Sequence, residues 1–281
     1  VCLIPIKQGT ILFREMLIKP CQATQVIVTP VSPDNNHNDL LSLPDTHPQH
    51  SFSLTTEELQ LIQNHQINNE AIVPMTMAAG WIYTLAKQLN AITGLSQIKL
   101  LHGIQNPSPQ TTLNLKCQQD QWQLFSADQL HYQALQLITP MAQTPITLNS
   151  NTPWHINVQQ AYSEVLFHQG VFQVIQALVA FDQDKASAKF SHTQTDQFPV
   201  IALDGILQLA ILWSHQTHQV KPLPTAIDEL WLEQDQTWPE HLTCTLQCTQ
   251  HTKAHQQFNA RLESDSGHIF ACVNGLHMYA S

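Results

Sequence analysis

Pro74-Met-Thr-Met-Ala-Ala-Gly-Trp-Ile-Tyr-Thr-Leu-Ala-Lys-Gln-Leu89 is an apolar stretch of helical length opened by a proline. Proline has no N–H to lose at the first turn of a helix, so Pro74 marks a start and not a break. Four strand-like runs come after it: 97–102, 111–117, 121–126 and 131–138, separated by Asn-Pro, Gln-Gln-Asp and Ala-Asp turn signals. One buried helix followed by several antiparallel strands predicts an α+β layer in which a sheet wraps the helix.

The pattern recurs downstream. A helical piece at 161–166 precedes a loop, Phe167-His-Gln-Gly-Val-Phe172, and strands at 173–181 and 186–192. A second apolar helix, 204–217, then leads into strands at 226–233, 242–249, 256–263 and 268–278. The chain therefore reads as two copies of helix plus wrapping sheet. Expected boundaries are an N-terminal copy over 50–145, a Pro-rich linker over 146–155 and a C-terminal copy over 156–281. Residues 31–49, rich in Pro, Asn, Asp and His, form another linker, and 1–30 read as a helix then a short strand. Leu54-Thr-Thr-Glu-Glu-Leu59 is a cap-like start to a short helix.

Composition excludes several classes of function. Charged residues make up only 11% of the 281, and the net charge is −10 with 11 Lys and Arg and no basic cluster, so no nucleic-acid groove is expected. No run of about 20 uninterrupted apolar residues provides a membrane span. The six cysteines form no Cys-x-x-Cys pair and read as free thiols in a reducing cytoplasm. The missing initiator Met suggests a fragment of a longer chain. No Gly-rich phosphate loop and no Gly-x-Ser-x-Gly elbow occurs. His215-x2-His218 and His251-x3-His255 have ligand spacing but no accompanying carboxylate, so no metal is expected.

The chemistry concentrates at the two helices. His65 lies just ahead of the first; Asp204 lies at the edge of the second, with Gln208 one turn on and on the same face. A histidine can act as a base near neutral pH. A carboxyl desolvated by an apolar helix is expected to have a raised pKa and so to donate a proton. Taken singly, such a histidine is a solvated or capping residue, and such an aspartate an N-cap. Together they suit removal of a C–H proton and protonation of a leaving hydroxyl.

Three motifs in order, over residues from about 50 to the end, resemble the dehydratase domain of polyketide synthases and polyunsaturated fatty acid synthases. His65-Gln-Ile-Asn-Asn69-Glu-Ala-Ile-Val-Pro74 looks like His-x3-Gly-x4-Pro, Leu203-Asp204-Gly-Ile-Leu-Gln208 like Leu-Asp-x3-Gln, and Leu166-Phe-His168-Gln-Gly170-Val-Phe172 like the segment opening the second half. Leu223-Pro224-Thr-Ala-Ile227 matches a segment after the aspartate helix. The resemblance implies a double hot dog, two sheet-wrapped helices in one chain, with the active site at their seam. It implies His65 as base, Asp204 as acid and Gln208 as its support, with Gly170 and the turn at Pro74 beside the thioester carbonyl. The substrate would be a β-hydroxyacyl thioester on the phosphopantetheine of an acyl carrier protein, with no cofactor in this domain. Asn69 stands where the family has Gly, and is the commonest non-Gly residue at positive φ. His168-Gln169-Gly170 replaces the usual Tyr-Gly-Pro, so the tyrosine hydroxyl has no exact counterpart here, and His168 is either its substitute or a loop residue. Ile6-Lys-Gln-Gly9-Thr-Ile-Leu-Phe-Arg-Glu-Met-Leu17 with Gln25-Val-Ile-Val-Thr29 resembles a ketoreductase tail, which implies neighbouring ketoreductase and other synthase domains as partners. Pairing into a homodimer stays open. The alternatives are a degenerate domain kept for structure or dimerisation, or a hot-dog isomerase, cyclase or thioesterase.

Overall fold

A helix with apolar residues on every face must be covered on every face, and the chain contains one. In the computed structural model, which describes residues 49–118, 120–139, 146–148, 152–193, 198–234 and 236–280, helix α4 (Val200–His218) buries every residue from Ile201 to Ser214. Helix α2 (Met75–Leu89) buries Met75 to Gly80, Ile82, Tyr83 and Ala86. The ketoreductase-like tail, nearly all of the 31–49 linker, and Pro140 and Pro145 lie outside the described residues.

The cover is a single antiparallel sheet of eleven strands in the order β1-β5-β6-β7-β4-β10-β13-β12-β11-β9-β8. The first half holds β1 (Gln49–Ser53), β4 (Gly94–Leu100), β5 (Thr112–Gln118), β6 (Gln121–Ser126) and β7 (Gln129–Leu137). The second holds β8 (Ile175–Phe181), β9 (Lys185–Ser191), β10 (Leu223–Leu232), β11 (His241–His251), β12 (His255–Glu263) and β13 (Ile269–Tyr279). The order is the same in both halves. Strands preceding the helix lie outermost, and the first strand after each helix crosses to the middle, so β4 and β10 pair with each other. Period-2 burial places the strands on the helices: Leu242, Cys244, Leu246 and Cys248 of β11 face inward, as do Gln256, Phe258, Ala260 and Leu262 of β12. This is the double hot dog. Three shorter elements complete it: α1 (Thr56–Ile62), a hairpin of β2 (Gln66–Ile67) with β3 (Glu70–Ala71), and α3 (Val158–Gln160), which continues as a wider turn over Ala161–Val165. No helix among the described residues is long and apolar enough to cross a membrane.

Three readings need correction. Helix α4 begins at Val200, not at 204, because Pro199 occupies its N-cap position and a fully buried helix has no polar face to mark its first turn. Asp204 is thus in the second turn and 1% exposed, neither an N-cap nor an edge residue. Strand β1 and the β2–β3 hairpin were not expected. The first is an edge strand of mostly exposed residues, and the second is two residues a side.

The β4–β10 seam leaves no room at Gly94, which pairs with Trp231: a Cβ there would overlap the Leu230 carbonyl oxygen. Gly94→Ala is expected to cost about 1–3 kcal/mol, as overpacking does elsewhere, and to lower the urea midpoint. A midpoint equal to the parent's would show that the two halves can separate locally at no cost.

Candidate active site

His65 is held by local structure on both sides. Helix α1 starts with a capping box, Thr55 with Glu58, and Glu58 Oε1 also accepts from Trp81 Nε1 at 2.7 Å, tying α1 to α2. The chain leaves α1 through His65 N–H to the Ile62 carbonyl at 2.9 Å. It then turns back through Asn68 and Asn69, both in the left-handed region at φ +52° and +67°. Positive φ at both central residues of a two-residue hairpin is the geometry whose twist matches the strands. Asparagine tolerates it, so the loop forms without the family's glycine. The hairpin returns Ile72 beside His65: Ile72 N–H donates to the His65 carbonyl at 3.0 Å, and His65 Nδ1 lies 2.8 Å from the Ile72 carbonyl oxygen. A carbonyl only accepts, so Nδ1 carries the hydrogen and Nε2 presents a lone pair.

The second half supplies the facing wall. His65 and His168 form an isolated antiparallel backbone bridge, and Gln169 N–H donates to the Asn64 carbonyl at 2.8 Å. Gly170 adopts φ +52°, and a Cβ there would overlap Asn64 Oδ1, so this close approach of the two loops requires glycine. Pro74 is the N-cap of α2, with Met77 and Ala78 N–H on its carbonyl.

Asp204 projects from the second turn of α4 into this junction. Its Oδ2 accepts from Gln208 Nε2 at 2.9 Å and lies 3.1 Å from His168 Nε2; its Oδ1 faces His65 Nε2 across 4.0 Å with no bond between them. Gln208 Nε2 also donates to the Phe172 carbonyl at 2.8 Å. Gln208 Oε1 accepts from Tyr162 Oη at 2.9 Å, and Tyr162 Oη accepts from Ile175 N–H at 2.9 Å. Phe167 packs edge-on against His65 with ring centres 5.0 Å apart, and Phe172 lies 5.6 Å away. The structure thus brings His65, His168, Gly170, Asp204 and Gln208 together, with Asn69 and Pro74 shaping the loop on either side. Tyr162 and Ile72 are additions: an aromatic in a helical piece and a backbone carbonyl carry no spacing signal.

Protonation here is a contest between burial and partners. Burial is the largest influence on Asp204 and acts to raise its carboxyl pKa, but His168, His65 and Gln208 together outweigh it and hold the group below its ordinary value. This reverses the expectation of a raised carboxyl: the sequence shows the apolar helix but not the imidazole that arrives on another loop. Burial lowers the His65 pKa, and Asp204 only partly opposes it, so the ring is neutral at pH 7. A neutral imidazole with a lone pair on Nε2 faces an ionised carboxylate across 4.0 Å, an arrangement able to accept a proton. A cavity of about 550 Å3 runs along α2 from Met77 to Gln88, closed by Leu61, Phe198 and Val200, with Glu58, Tyr83 and Lys87 at its polar side; His65, His168 and Asp204 do not line it. Of the spaced histidines, His218 packs its ring 4.9 Å from that of His251, and His255 Nε2 lies 3.2 Å from Nδ1 of His277, whose Nε2 is 3.2 Å from Asp228 Oδ1.

The fold is that of the dehydratase domains of polyketide synthases. The CurK module dehydratase of the curacin polyketide synthase is 22% identical, with 83% of this chain and 93% of that one aligned at a TM-score of 0.64. The CurF module dehydratase is 16% identical over 84% and 95%, at 0.69. The first GphF dehydratase is 12% identical over 83% and 93%, at 0.68. No protein-family model and no curated protein matches the chain.

The site makes a titration prediction. A carboxyl whose folded pKa lies below its unfolded one adds stability that is full above the unfolded value, near 3.8, and is lost as pH falls through the folded value. The lowered His65 makes folding less favourable as pH drops below 6.5, because the unfolded ring binds the proton first. Both effects have one sign, so urea midpoints should fall on acidification, beginning below about 6.5. In His168→Phe, burial is opposed only by His65 and Gln208, and the Asp204 carboxyl titration followed by carbon NMR should move upward. An unchanged titration would show that His168 does not hold the carboxylate.

Proposed function

We propose that this chain is a dehydratase acting on a β-hydroxyacyl thioester carried on the phosphopantetheine arm of an acyl carrier protein. The observation that carries the reading is the gap between His65 Nε2 and Asp204 Oδ1, 4.0 Å wide and closed in by Phe167, Phe172 and the two buried helices. Neither atom is taken by another hydrogen bond among the described contacts, and one comes from each half of the chain.

His65 Nε2 removes the α-proton. The electrons of that C–H bond form the Cα–Cβ double bond, and the Cβ–O bond breaks. The hydroxyl leaves as water with a proton held on the Asp204–His168 pair, whose nitrogen and oxygen stand 3.1 Å apart. The proton on His65 then returns to that pair through solvent. His168 Nε2, 3.1 Å from Asp204 Oδ2, helps to hold that carboxyl below its ordinary value. Backbone N–H groups in the first turn of α2, which precede the first intrahelical bonds to the Pro74 carbonyl, suit the thioester oxygen as negative charge develops. The same reading makes neighbouring synthase domains and a carrier domain the partners. Because the chain itself is acidic at −10, a carrier contact would be local.

The test is water loss from a β-hydroxyacyl pantetheine thioester, followed by mass. His65→Ala and Asp204→Asn should each lower kcat by about 10²–10⁴, the usual contribution of a positioned acid or base, with both proteins still folded. Full activity in both variants would sink the assignment. A product of unchanged mass but shifted double bond would point to an isomerase.

A further inference from the structure

Among the described residues, one group of three metal-capable side chains has its ligand atoms mutually within 4.8 Å: His65, His168 and Asp204, all buried. Two imidazoles and a carboxylate with an open fourth position is a donor set that first-row divalent ions favour. We propose that this pocket binds a single Zn2+ ion through His65 Nε2, His168 Nε2 and Asp204, and that the bound ion silences the site by occupying the lone pair of the base. The inference deepens the dehydratase reading of the same pocket, but its binding half does not depend on it.

Three features support the site. His65 Nδ1 is fixed on the Ile72 carbonyl at 2.8 Å, which leaves Nε2 as the ligating atom. A second-sphere acceptor of this kind orients metal-bound histidines generally. His168 is 2% exposed, and its Nδ1 is buried without a hydrogen-bond partner. The spacing also fits. Around zinc with bonds of about 2.0–2.1 Å, tetrahedral neighbours stand roughly 3.3 Å apart. His168 Nε2 stands 3.1 Å from Asp204 Oδ2 and His65 Nε2 4.0 Å from Asp204 Oδ1, and one ligand atom from each of the three residues lies within 4.8 Å of the others. The fourth position faces the gap assigned to the substrate, so ion and substrate compete.

The full chain, stripped with chelator, is titrated with Zn2+ against a chromophoric chelator, and separately with Co2+ to read the visible absorption of a four-coordinate ion. One equivalent is expected, with a four-coordinate Co2+ spectrum. His168→Phe and His65→Gln should each weaken binding at least about 100-fold, the upper range for losing even a second-sphere partner. Far-UV circular dichroism verifies that at least one of the two folds. His255→Ala, at the start of β12, should leave affinity unchanged. In the water-loss assay, Zn2+ should inhibit the parent competitively and chelator should restore the rate. No bound equivalent, or binding that survives in a folded His168→Phe or His65→Gln, overturns the site. One tightly bound equivalent with undiminished turnover overturns the silencing. A parent chain that binds zinc but never dehydrates the thioester would fail the functional reading and leave the metal site standing.

Discussion

A carboxylate buried within an apolar helix must be given donors, and this requirement organises the site. Asp204 has no Lys or Arg among its contacts; its Oδ2 is satisfied by Gln208 from its own helix and by His168 from a loop. Leaving such a group unpaired would cost several kcal/mol. The donors must therefore be held in place, and each is. Gln208 is fixed by the Phe172 carbonyl and the Tyr162 hydroxyl, and Tyr162 by Ile175 N–H. A chain of hydrogen bonds thus runs from the edge of the sheet to the carboxylate.

The same requirement explains why the two halves meet where they do. His168 reaches Asp204 only because its loop docks on the residues after α1, through the His65–His168 bridge and the Gln169–Asn64 bond. That docking depends on Gly170, where any side chain would strike Asn64. It fixes His65 opposite Asp204 Oδ1 as well. These backbone contacts between loops far apart in the sequence place both His168, which holds the carboxyl pKa down, and His65 across the gap.

How much of this was legible in the residues depends on which signals are local. Alternation in strands such as β11 and β12 is a property of neighbours two apart, and it survives into the sheet. So does the amphipathic length of α2. The start of α4 was illegible because Ile201, Ala202 and Leu203 are as buried as the residues after Asp204, so no polar face announces the first turn. Strand β1 was illegible because an edge strand with one half-buried residue, Phe52, has nothing to alternate. In the site, His65, Asp204 and Gln208 were visible as residue types at helical spacing. The direction of the Asp204 pKa was not, since desolvation is written in the helix while the opposing imidazole comes from a separate loop. Tyr162 and the Ile72 carbonyl act through atoms whose positions only the folded chain defines.

The two departures from the family pattern have unequal consequences. Asn69 replaces a glycine at a position that needs only positive φ, and asparagine supplies it at a small cost, so the hairpin and the Ile72 contact persist. His168 changes the chemistry. A tyrosine hydroxyl near the carboxylate is a neutral donor with a pKa of about 10, which gives a hydrogen bond without bringing a charge. His168 instead sets a ring nitrogen 3.1 Å from Asp204 Oδ2, with the residue 2% exposed. The carboxylate is thus held by a side chain from a separate loop as well as by Gln208 of its own helix. It also makes the carboxyl's lowered pKa depend on side chains from two loops, so a change in how those loops dock alters it.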